Sequence, residues 1–191
     1  MVKENLSYFG NRVDGDMRRL PSLSAGLKFF STHHMRVWGR DTFISFSGIF
    51  LNDLKLIADG LCHLLAFASC AKHSFLIPNL LDSGRFPRYN CRDATWFFVK
   101  SCQEFTYYLS QYAASLSDVP SILSLFLDIE FPMRFPNQSE FCPYDGPLAY
   151  STTFSMRRLL SGIFSGHLKG ISFREWNAGP SLDHAMQDEG F

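Results

Sequence analysis

The residues best suited to chemistry are two Arg-Asp pairs. Arg40-Asp41 lies within Val37-Trp38-Gly39-Arg40-Asp41-Thr42-Phe43, and Arg92-Asp93 within Asn90-Cys91-Arg92-Asp93-Ala94-Thr95-Trp96. A guanidinium beside a carboxylate sets a rigid fork of donors next to a charged acceptor, and the two together can grip an uncharged, hydroxyl-rich ligand. Trp38 and Trp96 stand close by and offer flat apolar platforms of the kind a sugar ring needs. Asn90, Asn177, Asp188 and Glu189 add amide and carboxylate groups. A structural reading competes with this one, because an Asp at a helix start commonly caps free amides and large aromatics more often serve the core. The six histidines show no metal-ligand spacing, and no two cysteines stand at the two-residue spacing of a zinc site. No nucleophile motif or phosphate-cradling glycine loop is present, so neither metal nor cofactor is expected.

The chain that must position these groups has 191 residues with 18 basic and 18 acidic side chains, which suits about one ordinary domain without net charge. That balance argues against a nucleic-acid partner. Its charged fraction of 19% is below the ~25% usual for globular chains, and Phe is over-represented at 20 residues, so burial should be extensive. No stretch approaches the ~18 apolar residues of a membrane span, and the first residues lack an apolar signal core. The expected setting is soluble and cytoplasmic, with Cys62, Cys70, Cys91, Cys102 and Cys142 as free thiols.

The periodicity predicts helices and no sheet. Asp41 is placed to cap a helix through Leu51 that is apolar on every side. Asp53 caps a second, one-sided helix carrying Leu54, Ile57, Leu61, Leu64, Leu65 and Ala68, with Lys72-His73 at its negative end. After a polar connection, Asp93 caps a third helix whose face is Ala94, Phe98, Cys102, Phe105, Leu109 and Tyr112. Prolines 120, 132, 136, 143 and 147 break regular structure across 115–148. A fourth helix carries Met156, Leu159, Leu160, Ile163, Phe164 and His167 and stops at Gly170.

Asp93 follows Asp41 by 52 positions, the length of one helical hairpin with its loops. In a stack of antiparallel hairpins the first and third helices run the same way, so both Arg-Asp pairs open on one rim. The second helix delivers Asn79, Tyr89 and Asn90 there, and the fourth delivers Arg174-Glu175-Trp176-Asn177 and Asp188-Glu189.

At these same residues the sequence resembles the C-terminal glucosidase domain of the eukaryotic glycogen debranching enzymes. The likeness runs through Leu23-Ser24-Ala25-Gly26-Leu27, Val37-Trp38-Gly39-Arg40-Asp41-Thr42-Phe43-Ile44, Leu76-Ile77-Pro78-Asn79-Leu80-Leu81 and Arg88-Tyr89-Asn90-Cys91-Arg92-Asp93-Ala94. It ends at Arg174-Glu175, Asn177-Ala178-Gly179-Pro180 and Asp188-Glu189-Gly190-Phe191. A departure is Trp176, where that family usually has a second arginine.

The resemblance implies an all-α fold, the first hairpins of an incomplete (α/α)6 toroid. Residues 1–30 would be a lead-in and 31–191 the N-terminal part of the glucosidase domain, with the excursion at 115–148. The implied activity is amylo-alpha-1,6-glucosidase action on glycogen or limit dextrin, accompanied in the whole enzyme by a 4-alpha-glucanotransferase domain. Arg40-Asp41 would grip the terminal glucose, joined by Arg92-Asp93 and Asp188-Glu189. Glycoside hydrolysis generally needs an acid and a base carboxyl; by resemblance both lie beyond Phe191, so this chain alone should be inactive. The alternative is a non-catalytic carbohydrate-binding or scaffold protein derived from that domain. With roughly four of about twelve helices, the faces of Phe43, Phe46, Phe50, Phe98 and Phe105 are expected to be exposed and the chain to aggregate.

Overall fold

A computed structural model describes residues 36–82, 86–112, 118–140, 142–143 and 145–173. Strand β1 (Arg36–Trp38) runs directly into helix α1 (Gly39–Ile44), and α2 (Phe46–Phe50) follows after a break at Ser45. A 3₁₀ turn (Leu54–Leu56) leads into α3 (Ile57–Ser69), then strands β2 (Leu80–Asp82) and β3 (Phe86–Arg88), and the long helix α4 (Asp93–Ser110). Helix α5 (Val119–Leu127), strands β4 (Glu130–Met133) and β5 (Thr152–Ser155) and helix α6 (Met156–Lys169) complete the described chain.

The fold is mostly helical, but two small antiparallel sheets correct the expectation of none. One has the order β1-β2-β3, with Val37 opposite Leu81 and Leu81 opposite Pro87; the other pairs β4 with β5, with Phe131 opposite Phe154. These strands are three or four residues long, and all but the neighbouring β2 and β3 pair across distant sequence, so no local alternation announces them.

Sheet pairing also changes the helix starts. The Gly39 N–H donates to the Asn79 carbonyl at 2.6 Å, and the helix begins there without a side-chain cap. Asp41 therefore lies in the first turn, suited to the positive end of the helix dipole, and does not cap. Asp93 is likewise the first residue of α4, with no side-chain cap at Arg92. The expected helix through Leu51 is interrupted at Ser45, whose hydroxyl donates to the Asp41 carbonyl at 2.7 Å alongside its own N–H bond to the same carbonyl at 3.1 Å. Nor is this segment buried all round, since Ile44 is exposed.

Asp53 caps, accepting from the Lys55 N–H at 2.9 Å, but what it opens is the 3₁₀ turn, and α3 itself starts after Leu56 without a side-chain cap. Leu54 sits in the preceding 3₁₀ turn and is 66% exposed, while Leu61, Leu64, Leu65 and Ala68 are buried. Helix α3 ends at Ser69, so Lys72-His73 lie past its last turn, and Lys72 is buried with its ammonium 5.2 Å from the Phe135 ring centre. On α4 the predicted face is buried as far as Leu109, whereas Tyr112 lies beyond the helix and is 57% exposed. The excursion holds regular structure after all. Pro120 occupies the first turn of α5, where no N–H is required, and Pro132 lies in a two-stranded sheet in which every strand is an edge. Helix α6 stops at Gly170 (φ +86°) as expected, and Met156, Leu159 and Ile163 of its predicted face are buried, but Phe164 is half-exposed; the start is capped by Ser155, which accepts from the Arg158 N–H at 3.2 Å.

The five phenylalanines expected at an open face are all buried. Phe43 meets Phe67 and Phe98 edge-on, with ring centres 4.9 and 5.3 Å away. Phe46 contacts Phe50 and Phe105, and Phe126 of α5 covers Phe105 at 5.6 Å. The proline-bearing excursion thus closes the core that four helices alone leave open.

One loop is held by unusual means. His73, Ser74 and Phe75 all take left-handed backbone angles (φ 53°, 61° and 70°), which non-glycine residues adopt at a cost. Gln138 holds them there. Its carbonyl accepts from the His73 N–H, its Oε1 accepts from the Phe75 N–H, and its Nε2 donates to the Ala71 carbonyl, all at 3.0–3.1 Å. Helix α6 presses on this loop through glycines: a Cβ on Gly162 would lie 2.4 Å from the Phe75 ring, and one on Gly166 2.6 Å from the Ser74 carbonyl oxygen.

Candidate functional site

The two Arg-Asp motifs meet. Arg40 Nη2 lies 3.2 Å from Asp93 Oδ2, a bond that crosses from α1 to the start of α4. The side chains are 52% and 44% exposed, and solvated pairs of this kind contribute only ~0.2–1 kcal/mol, so packing of the helices beneath is what brings them together. That packing includes the Ser101 hydroxyl donating to the Phe43 carbonyl at 3.0 Å and Phe43 lodged between Phe67 and Phe98.

Asp93 is engaged at both oxygens. The Cys91 thiol donates to Oδ1 while Arg40 occupies Oδ2. Burial, followed by that bond to Asp93, raises the Cys91 pKa and keeps the thiol a donor. Asp41 and Arg92 are exposed, and neither side chain has a partner among the described residues. The motifs are therefore asymmetric: Arg40 and Asp93 brace one another, and the Asp41 carboxylate and Arg92 guanidinium are open to solvent.

The loops below tie both motifs together. The Asn79 amide donates to Asn90 Oδ1 at 3.1 Å, while the Asn79 backbone holds Gly39 and accepts no looser a position than its own N–H bond to the Arg88 carbonyl at 2.7 Å allows. The Thr95 hydroxyl accepts from the Ile77 N–H at 3.0 Å, and the Tyr89 hydroxyl donates to the Cys70 carbonyl. Trp38 is half-buried and its carbonyl accepts from the Thr42 hydroxyl at 2.7 Å. Trp96 is exposed on one side and packs on the other against Phe164 and His167 of α6, at 5.8 and 4.6 Å. The predicted residues Trp38, Arg40, Asp41, Asn90, Arg92, Asp93 and Trp96 thus belong to one end of the helix array. Asn177, Asp188 and Glu189 lie outside the described residues. The sequence already puts Asn79 on this rim, whereas Cys91 carries no site role there; a thiol two positions before a helix-start Asp is the available signal for it.

Residues 5–188 match the family model of the amylo-alpha-1,6-glucosidases. The chain belongs to that family. It is also similar to the glycogen debranching enzyme of Saccharomyces cerevisiae, with 43% identity over 172 residues that cover 90% of this chain and 10% of the yeast protein. The chain spans about a tenth of the length of that relative. Among the described residues of this amylo-alpha-1,6-glucosidase family member, no helix is long and apolar enough to cross a membrane.

Beside the rim, His73 supplies a test of the loop architecture. Its ring stacks on Phe173 at 4.4 Å and meets Tyr89 edge-on at 5.1 Å. Burial, reinforced by the Lys72 charge, lowers its pKa from 6.5 to about 4. Between those values the unfolded chain binds a proton that the folded chain does not, so stability present at neutral pH is lost as pH falls from about 6.5 through about 4. Replacing His73 by Asn, which tolerates the left-handed angle, is expected to flatten this loss. Urea midpoints at pH 7, 5.5 and 4 check it; parallel pH profiles for the two proteins would contradict the assignment.

Proposed function

We propose that this chain supplies part of the glucose-binding rim of a glycogen debranching enzyme, and that its helices are the first hairpins of an (α/α)6 toroid. The observation that carries the reading is the Arg40–Asp93 bond, which joins the two Arg-Asp motifs and leaves the Asp41 carboxylate and the Arg92 guanidinium open beside them. Neither Asp caps its helix, so capping does not account for them. A carboxylate accepts from sugar hydroxyls, a guanidinium donates to sugar oxygens, and the open side of Trp96 and the half-buried Trp38 offer apolar faces. The substrate would be glycogen or limit dextrin, cleaved at the α-1,6-linked glucose of a branch point. The acid and base carboxyls, and the transferase domain, would come from other parts of the whole enzyme, and residues 31–191 would be the N-terminal part of the glucosidase domain.

Isomaltose, the smallest α-1,6-linked pair of glucoses, is the probe. Arg40→Ala or Asp41→Asn should weaken its binding by about 1.5–3 kcal/mol, the range for hydrogen bonds to charged groups. Ligand-observed NMR titration reads this, with circular dichroism to verify the fold. Unchanged affinity in both folded variants would remove the rim from sugar recognition. A second reading, a stand-alone carbohydrate-binding protein, is favoured by the burial of Phe43, Phe46, Phe50, Phe98 and Phe105 in a closed core. A sharp, cooperative thermal transition of the purified monomer would support it over the fragment reading.

A further inference from the structure

Asn79 presents an arrangement that folding alone does not explain. Its residue is only 8% exposed, its backbone N–H donates to the Arg88 carbonyl, and its carbonyl accepts from the Gly39 N–H. The side-chain Nδ2 donates to Asn90 Oδ1 at 3.1 Å, while the buried Oδ1 has no hydrogen-bond partner. A buried acceptor left unpaired opposes folding, so an apolar side chain of similar size would serve packing better. The visible use of this amide is its bond to Asn90.

Asn90 is exposed at the foot of Arg92-Asp93. With its Oδ1 engaged from below, the opposite edge of its planar amide, the Nδ2 donor, turns away from Asn79. The geometry points to Asn79 as a positioning residue: it fixes the Asn90 amide so that a neutral N–H donor faces outward, ready for a sugar hydroxyl oxygen. This rests on the glucose-rim reading above. It adds an uncharged donor beside the charged groups of the rim, and it places that donor by a bond fixed before the ligand arrives, so little ordering is left for binding to supply.

The test uses the full chain, titrated with isomaltose, together with NMR of the Asn90 side-chain amide. Asn90→Ala should weaken isomaltose binding by about tenfold, as expected for loss of one well-placed hydrogen bond. Asn79→Leu, which fills the space and removes the orphaned acceptor, should weaken it comparably while the thermal midpoint stays level or rises. The double variant should bind no more weakly than Asn90→Ala. A structural role would instead lower the midpoint and give additive losses, and that result would overturn the proposal. The amide signal separates the two readings. In the wild type Asn90 should give one sharp, well-dispersed amide pair that collapses toward random-coil shifts in Asn79→Leu. If the wild type binds no isomaltose yet this collapse occurs, the glucose-rim reading fails and the positioning stands. If isomaltose binds and Asn79→Leu changes neither affinity nor the Asn90 signals, the positioning role fails alone.

Discussion

Replacing Phe43 by alanine should destabilise the fold by about 3–5 kcal/mol, the range for removing a fully buried aromatic ring. Phe43 is the junction of α1, α3 and α4: its ring meets Phe67 and Phe98 edge-on and its carbonyl accepts from the Ser101 hydroxyl. The neighbouring rings are themselves fully buried and held by other contacts, so they cannot collapse into the space, and the cavity term adds to the lost transfer energy. A lowered urea midpoint, with the transition still cooperative, is the expected observation. An effect below about 1 kcal/mol would mean that this face is open to solvent, as the count of helices against a closed toroid suggests.

Gly39→Ala should cost about 3 kcal/mol, at the upper end for overpacking. A Cβ at this position would lie 2.6 Å from the Pro78 carbonyl oxygen and 2.7 Å from the Phe67 ring, so either α1 or the 78–79 loop must move. Moving either breaks the Gly39–Asn79 bond and displaces Arg40 from Asp93, so isomaltose binding should fall together with stability. Gly48→Ala is the control. It lies within α2 with nothing within 4 Å of an added Cβ, and there alanine should stabilise by about 0.5–1 kcal/mol through helix propensity. The same substitution therefore has opposite signs at two sites nine positions apart. Equal effects at both would show that Gly39 is not held against the loop.

What was legible in the residues was mostly what depends on short-range spacing. Leu61, Leu64, Leu65 and Ala68 on one helix, Phe98, Cys102, Phe105 and Leu109 on another, and the Gly170 stop all follow from the helical period and from glycine's access to positive φ. The errors came from long-range contacts. Asp41 and Asp93 looked like caps because nothing in the neighbouring residues reveals that Asn79 satisfies the Gly39 amide, or that α4 starts one residue earlier than a capping Asp93 would require. The strands around Leu81 and Phe131 are too short to show alternation, and each pairs opposite or beside a proline. The docking of α5 on Phe105 through Phe126 is set by packing, not by spacing. For the site, the approach of the two Arg-Asp helix starts to each other follows from helix direction. The crossed pairing of Arg40 with Asp93, which leaves Asp41 and Arg92 open, is a matter of side-chain geometry that no sequence interval encodes.

The most direct test of the shared rim is backbone amide shift mapping of the ¹⁵N-labelled chain during titration with isomaltose. The account predicts saturable shifts with a single apparent Kd in two separated stretches at once, Gly39 to Asp41 and Asn90 to Ala94, with the far end of α4 around Tyr107 to Gln111 undisturbed. Shifts confined to one Arg-Asp motif, or centred on that far end, would contradict it.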